Sequence, residues 1–155
     1  MTARGRHTKR ILVCLDDSPR APGVLAAAAE LALRTGARMS LLRTVTIPPE
    51  LRKVSSVELR ADVLETLENK AQAELDELAV GIPEDSLEGV HVYVGPPSVT
   101  ICREADELDV DVVVVGAHGY GTLDRLLGTT AASVVNHCDR SVLVVRARPE
   151  PAVVT

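Results

Sequence analysis

Aromatic side chains are almost absent from this chain of 155 residues. It has no Phe and no Trp, and its two aromatic residues are Tyr93 and Tyr120. The core must therefore consist of Val, Leu, Ile and Ala, whose runs are typical of parallel strands that helices cover on both faces. The scarcity of aromatic rings also argues against a stacking platform for single-stranded nucleic acid.

Basic residues are also fewer than acidic ones. Lys and Arg number 17 against 22 Asp and Glu, so the formal net charge is −5. An acidic chain is a poor candidate for binding nucleic acid or an anionic membrane through bulk charge. Residues 1–10 are a local exception, since they contain four basic side chains. This segment is either a solvated terminus or a basic arm that docks on a partner.

The sequence also lacks long apolar runs and cysteine or histidine motifs. No run approaches the ~18 apolar residues of a membrane span, and residues 11–15 are too short for the core of a signal peptide. We therefore expect a cytoplasmic protein without a membrane partner. The three cysteines, Cys14, Cys102 and Cys138, fit neither a disulfide framework nor a zinc motif. We expect no metal site built from the protein alone.

Strand-like and helix-like segments alternate along the chain. Apolar, β-branched runs predict five strands, at residues 10–16, 38–45, 90–94, 111–116 and 141–146. Helical periodicity predicts four helices, at residues 21–35, 57–78, 97–108 and 130–138. Ser18 and Ser98 are the candidate N-caps of the first and third helices, and Gly36 is the candidate C-cap of the first.

This alternation predicts an α/β fold, in which an open, doubly wound sheet of five parallel strands has helices on both faces. We expect one domain over residues 1–155, with residues 1–8 and 149–155 flexible. In such sheets ligands bind beyond the carboxyl ends of the strands, where the strand order reverses. The loops after Asp16, Thr44 and Gly116 are therefore the candidate site.

The loop after Gly116 carries the most information. Four glycines, Gly116, Gly119, Gly121 and Gly128, are expected to adopt conformations that a Cβ atom would hinder. The segment then opens a helix, whose free N–H groups and dipole favour an anion such as phosphate. The alternative is a flexible turn with an ordinary Thr N-cap. Neither a Walker A loop nor the dinucleotide-binding glycine fingerprint is present.

Three segments of the chain resemble the universal stress protein family. They are ILVCLDDSPRAPGVLAAAAELALRTGARMSLLRTV, VGPPSVTICREADELDVDVVVVGAHGYG and LLGTTAASVVNHCDRSVLVVR, and the resemblance extends over residues 9–146. It implies a Rossmann-like sheet of five parallel strands, of the adenine nucleotide alpha hydrolase-like type. Many members of the family bind ATP through a Gly-x-x-Gly, nine residues, Gly-Ser/Thr pattern.

The resemblance implies that Gly116 and Gly119 form the first glycine pair of that pattern, and that Gly128 and Thr129 form its closing pair. Eight residues, 120–127, separate the two pairs here instead of nine. In this respect the chain is similar to a shorter-loop subgroup of the family. Members that lack the glycines tend not to bind ATP, and this chain keeps them.

The resemblance also assigns roles to three residues outside the glycine pattern. It implies that Asp16 hydrogen-bonds the ribose, that the main chain at Thr44 meets the adenine, and that Thr130 contacts phosphate. The alternative is that Asp16 belongs to a solvated turn before the first helix. The neighbouring Asp17 is assigned to the same turn, with a weaker possibility of a Mg²⁺ ion that binds through the phosphates.

Three other residues are weaker candidates. His118 could donate to a phosphate or act as a base, or be an ordinary surface residue. Arg43 is a candidate for neutralising phosphate. Ser133 follows Thr130 by three residues and could share its side of the last helix, or could simply be a small packed residue.

The leading hypothesis is an ATP-binding universal stress protein that acts as a stress-related regulatory or signalling module, with Mg²⁺ accompanying the ATP. The alternatives are a nucleotide-free interaction scaffold of the same fold and a weak ATPase. No nucleophile-elbow motif is present, so we do not expect an enzyme, although slow ATP hydrolysis would need only positioning and a metal. A homodimer is implied by the resemblance, with the last strand, residues 141–146, as an edge that a second copy would pair.

Overall fold

The computed structural model describes residues 7–117 and 126–146. Its strands are β1 (Arg10–Cys14), β2 (Arg38–Val45), β3 (Leu87–Val94), β4 (Val112–Gly116) and β5 (Ser141–Val145). Its helices are α1 (Ala21–Thr35), α2 (Val57–Ala79), α3 (Pro97–Glu107) and α4 (Thr129–His137), with short 3-10 helices at Pro49–Lys53 and Glu84–Ser86. Within the described ranges, no helix is long and apolar enough to cross a membrane.

The five strands form one sheet in the order β3-β2-β1-β4-β5, and all neighbouring pairs are parallel. At the centre, Val13 on β1 pairs with Leu41 on β2 and with Val114 on β4. The chain leaves β1 towards β2 but leaves β4 towards β5. The strand order therefore reverses between β1 and β4, and a crevice opens there at the carboxyl ends of the strands. The predicted fold class is confirmed.

The sheet has an apolar core on each face. Alternate β1 residues Ile11 and Val13 join a core with α1 and α2, whereas Leu12 joins a second core with α3 and α4. Ile11, Leu12 and Val13 are all fully buried. Successive side chains of a strand point to opposite faces, so an unbroken apolar run is what a strand covered on both sides requires.

Two of the three predicted caps are wrong and one is confirmed. Gly36 ends α1 in the left-handed conformation, with φ 73°, and its N–H donates to the carbonyl of Ala32. Arg20, not Ser18, is the N-cap of α1, and Pro96, not Ser98, is that of α3. A proline occupies the first turn of each helix, and its fixed φ sets the start of the helix without a side-chain cap.

Most of the residues that were expected to be flexible, at both ends of the chain, lie outside the described residues. Residues 1–6 and 147–155 are not among the described residues. Residue 7 and residue 8 precede β1 without regular structure. The domain boundaries at residues 1 and 155 remain predictions.

Candidate functional site

A cavity of about 660 Å³ opens at the carboxyl edge of the sheet, across the crevice between β1 and β4. The residues after β1, the end of β2, the end of β4, the start of α4 and one side of α2 line it. Six of the seven predicted site residues lie in its wall: Asp16, Thr44, Gly116, Gly128, Thr129 and Thr130. The seventh, Gly119, lies outside the described residues. The volume falls in the range of small-molecule sites.

The segment after β1 presents the carboxylate of Asp16 at the exposed mouth of the cavity. The N–H of Leu15 donates to the carbonyl of Leu42 at 2.9 Å, which continues the pairing of β1 with β2 beyond the strand. Asp16 Oδ1 accepts the N–H of Ser18 at 3.0 Å, and Ser18 Oγ accepts the N–H of Arg20 at 3.3 Å. This Asx turn fixes the direction of the Asp16 side chain.

Arg43 extends from β2 into the cavity wall and is only 6% exposed. Its Nε donates to the carbonyl of Leu15 at 3.2 Å and its Nη2 to the carbonyl of Asp16 at 2.9 Å. Its Nη1 pairs with Glu74 Oε2 on α2 at 2.5 Å. The guanidinium therefore holds the segment that carries Asp16, and its charge is balanced by Glu74. Arg43 has this structural role in place of the free phosphate-neutralising one that the sequence suggested.

The end of β4 is joined directly to the start of α4. The N–H of Ala117 donates to the carbonyl of Val145 at 2.8 Å, and the N–H of Gly128 donates to the carbonyl of Ala117, also at 2.8 Å. Ala117 is completely buried. These bonds bring the last residues of β4 and the first of α4 together although ten residues separate residue 117 from residue 128.

The sequence predicted glycine conformations that a Cβ atom would hinder, but neither described glycine of this segment has a left-handed backbone. Gly128 has φ −59° and ψ 159°, and the φ of Gly116 also lies outside the left-handed region. Gly116 packs closely against α1, since a Cβ there would lie 3.2 Å from Val24 Cγ2, which is a tight contact. Gly119 and Gly121 lie outside the described residues.

The amino terminus of α4 has no side-chain cap. Gly128 is the N-cap, and its carbonyl accepts the N–H of Ala132 at 3.0 Å. The alternative in which a threonine caps this helix is therefore wrong. The N–H groups of the first turn have no acceptor within the helix. Thr129, Thr130 and Ala131 line the cavity, so this turn can bind an anion there.

Protein side chains alone do not form a metal centre in the part of the chain that the structure describes. No group of three or more His, Cys, Asp or Glu side chains there is arranged to hold a metal ion. A Mg²⁺ ion that arrives with a phosphate chain needs only one or two carboxylates. Asp16 and Asp17 are the carboxylates at the cavity edge next to β1.

A sequence model of the Universal stress protein family matches residues 7–146. The chain belongs to this family. It is similar to Universal stress protein A homolog 1 of Coxiella burnetii, with 31% identity over 140 residues, 90% of this chain and 96% of the relative. A second relative from the same organism, Universal stress protein A homolog 2, is 30% identical over 139 residues, 89% of this chain and 94% of that relative.

Solved structures of other universal stress proteins share the fold. The protein UspA of Lactobacillus plantarum superposes with a TM-score of 0.69 at 24% identity, over 92% of this chain and 100% of that one. A universal stress protein in complex with cAMP has a TM-score of 0.61 at 22% identity, over 90% and 97% of the two chains. The Archaeoglobus fulgidus protein in complex with dAMP has a TM-score of 0.57 at 21% identity, over 90% and 99%.

The weaker candidates for binding residues in this universal stress protein differ in whether they line the cavity. Asp17 lines the cavity beside Asp16. Ser133 is not in the cavity wall, and its Oγ lies 3.4 Å from His137 Nδ1 on the same helix. His118 lies outside the described residues. The binding roles of all the predicted site residues remain predictions.

Three charged residues of the cavity wall were missed at the sequence level. Lys70 and Glu74 come from α2, and Arg20 comes from the N-cap of α1. The two α2 residues belong to a long charged helix, in which nothing distinguishes them from its solvent-facing side chains. Arg20 had a detectable signal, because it follows the first strand closely and precedes a helix at the predicted edge of the sheet.

Cys14 also lines the cavity, behind Asp16. Burial raises the pKa of its thiol far above the ordinary value. The thiol is the inert form of cysteine at neutral pH. Cys14 therefore supplies packing to the cavity and no nucleophile.

Proposed function

We propose that this universal stress protein binds an adenine nucleotide in the cavity between β1 and β4 and acts as a stress-related regulatory module. The ligand of the proposal is ATP, accompanied by Mg²⁺. One observation carries the proposal. Side chains and backbone from the ends of β1, β2 and β4 and from the uncapped start of α4 line a single cavity of nucleotide size.

Each part of a nucleotide has a complementary group in this cavity. The Asp16 carboxylate at the mouth is an acceptor for ribose hydroxyls, and its Asx turn with Ser18 keeps it in place. Thr44 is the penultimate residue of β2, where main-chain groups can meet the edge of an adenine ring. The N–H groups and hydroxyls of Thr129 and Thr130 are donors for phosphate oxygens.

The structural neighbours support the same ligand class. One is a universal stress protein in complex with cAMP, and another is in complex with dAMP. Both ligands contain an adenine base, a sugar and a phosphate. In this chain Mg²⁺ would bind chiefly to the phosphates, with Asp16 or Asp17 as its protein ligand.

Calorimetric titration of the full chain tests the proposal. We expect saturable binding of ATP with Mg²⁺ at a Kd of about 1 mM or tighter. Parallel titrations with AMP, cyclic AMP and GTP establish which phosphate chain and which base the cavity prefers. Absence of heat and of any ATP-induced rise in Tm would contradict the proposal and favour a nucleotide-free scaffold.

The variant Gly128→Val localises the binding. The backbone of Gly128 has φ and ψ values that valine adopts, so we expect the variant to fold. The branched side chain stands at the N-cap and obstructs the phosphate donors, so ATP affinity should fall about tenfold or more. Gly81→Val is the control, because a Cβ at Gly81 meets nothing within 4 Å and Gly81 is not in the cavity wall.

We also propose that the protein is cytoplasmic and works as a homodimer through β5. β5 is an edge strand of the sheet, so one side of its backbone has no partner strand among the described residues. Leu143, in the middle of β5, is 38% exposed. Pairing of the β5 strands of two copies would satisfy the edge and cover this leucine.

A further inference from the structure

Arg20 is a cationic side chain of the cavity wall that neither the sequence pattern nor the proposed binding roles include. It is the N-cap of α1 and lines the cavity. Its Nε atom is completely buried and has no hydrogen-bond partner in the structure. A buried donor without an acceptor is costly, on the order of 1–3 kcal/mol, and calls for an explanation.

The other cations of the cavity wall are already paired. Arg43 is bonded to Glu74, and Lys70 Nζ lies 3.9 Å from the other Glu74 oxygen. None of the ion pairs between described residues includes Arg20. Arg20 therefore differs from Arg43 and Lys70 in having no carboxylate partner among the described residues.

Arg20 faces the same crevice as the start of α4. Its carbonyl accepts the N–H of Val24 one turn further along α1, and the Val24 side chain packs against Gly116. Because α1 runs antiparallel to the strands, Arg20 is nearer to the carboxyl edge of the sheet than Val24. Gly116 is followed by Ala117, which is bonded to Gly128 at the N-cap of α4. Arg20 and the α4 amides thus border one cavity from its two sides.

The charge balance of the cavity favours an anion beside Arg20. The amino end of a helix supplies only about half a positive charge. Asp16 and Asp17 lie at the mouth of the cavity, and they repel a phosphate chain when no cation is bound between them. The positive charge of Arg20 in the same cavity wall offsets that repulsion, and a guanidinium group can donate two hydrogen bonds to one phosphate.

We propose that Arg20 binds a phosphate group of the nucleotide through its guanidinium group. The inference rests on the proposed nucleotide function and adds a residue to it. Arg20 would then determine how strongly the cavity distinguishes phosphorylated ligands from the nucleoside. The uncapped turn of α4 holds the phosphates from the opposite side.

Calorimetric titrations with adenosine, AMP and ATP test this assignment on the wild type and on Arg20→Ala. We expect ATP affinity to fall about tenfold or more in the variant, as for a lost charge-assisted hydrogen bond, with adenosine affinity unchanged. Arg20→Lys should recover part of the ATP affinity because it restores the charge without the fork. The salt dependence of ATP binding should be weaker in Arg20→Ala than in the wild type.

Arg34→Ala is the matched control, since it removes the same charge from the same helix. Arg34 lies in the last turn of α1 and pairs with Glu30, and it is not in the cavity wall. Its ATP affinity should equal that of the wild type. If Arg20→Ala is too unstable to titrate, Arg20→Gln keeps the side chain out to Cδ without the charge and serves in its place.

The outcomes separate this inference from the function on which it rests. A wild type that binds none of the three ligands contradicts the proposed function itself. A wild type that binds ATP, with Arg20→Ala equally tight, overturns only the assignment of Arg20. Equal losses for adenosine and ATP would also overturn it, because they would show that Arg20 merely supports the shape of the cavity.

Discussion

Asp111 shows at the scale of one residue how a carboxylate ties separate strands together. Its Oδ2 accepts the N–H of Lys9 at 2.8 Å and the N–H of Arg10 at 3.0 Å, at the start of β1. The N–H of Asp111 in turn donates to the carbonyl of Arg10. The hydrogen bond from the Lys9 backbone lowers the pKa of Asp111, and the bond from Arg10 acts in the same direction.

We predict that Asp111→Asn destabilises the protein in a pH-dependent way. A carboxyl group with a lowered pKa in the folded state stabilises above its unfolded pKa, near 3.9, and loses this effect as pH falls through the folded pKa. At pH 7 the variant should have a free energy of unfolding about 0.5–1 kcal/mol below that of the wild type, a small difference because Asp111 is near the surface. The difference should vanish towards pH 2. Urea unfolding across this pH range measures it.

The control for Asp111 is Asp85→Asn. Asp85 is exposed in the short 3-10 helix before β3. Its substitution should leave the free energy of unfolding nearly constant at every pH. A stability loss in Asp111→Asn that is the same at pH 7 and at pH 2 would contradict the charge-based explanation.

Single residues of the site could be predicted from the sequence only where a strand ends. Asp16, Thr44 and Gly116 follow or finish apolar runs, so the topology alone brings them to one edge of the sheet. The role of Arg43 could not be predicted, because its partner Glu74 is 31 residues away and belongs to another element. Such a pairing depends on how α2 lies across the sheet, which no local pattern encodes.

At the scale of elements, the Arg43–Glu74 pair connects α2 to the loop after β1. The side chain of Arg43 is 7% exposed and that of Glu74 is 39% exposed. The guanidinium also donates to the carbonyls of Leu15 and Asp16. Loss of Glu74 would leave a nearly buried positive charge without its counter-ion, which is more costly than the loss of a surface pair.

We predict that Glu74→Ala lowers the free energy of unfolding by about 1–3 kcal/mol, below the range for fully buried pairs because Glu74 is partly exposed. Glu77→Ala is the control, because it removes an exposed glutamate three residues further along α2. It should change the free energy of unfolding by less than about 0.5 kcal/mol. Adding Arg43→Met to Glu74→Ala should recover part of the loss. Equal free energies of unfolding for Glu74→Ala and Glu77→Ala would contradict this role of the Arg43–Glu74 pair.

The extents of the elements were predictable where the local signals agree. The predicted bounds of α1 and β2, 21–35 and 38–45, coincide with those of the structure. β3 starts earlier than the predicted residue 90, at Leu87, because the register of β2 with β3 shifts between Met39 and Ser40. That irregularity and Gly89 interrupt the alternation from which the strand was predicted.

At the scale of the whole molecule, the proposed dimer concerns the free edge at β5. We predict that Leu143→Lys converts the dimer to a monomer, since a lysine in an edge strand opposes pairing with a second copy. Leu33→Lys is the control, because Leu33 on α1 is 86% exposed and the same substitution there should leave the dimer intact. Light scattering at micromolar concentration measures both. A monomeric wild type would contradict the proposed assembly.

The fold of the whole molecule was predictable because several separate features of the sequence indicate the same architecture. Apolar runs, alternating helices and an aromatic-poor composition all indicate a parallel sheet that is covered on both faces. The site was predictable as a place, between β1 and β4, but not in its charge balance. Arg20, Lys70 and Glu74 enter the cavity from helices, and their positions depend on packing.

The most direct test of the central claim is a crystal structure of the full chain with ATP and Mg²⁺. We expect a nucleotide in the cavity between β1 and β4, with its ribose at Asp16, its base beside Thr44 and its phosphates at the start of α4. Arg20 should lie against the phosphate chain. A nucleotide bound elsewhere on the protein, with this cavity empty, would contradict the account.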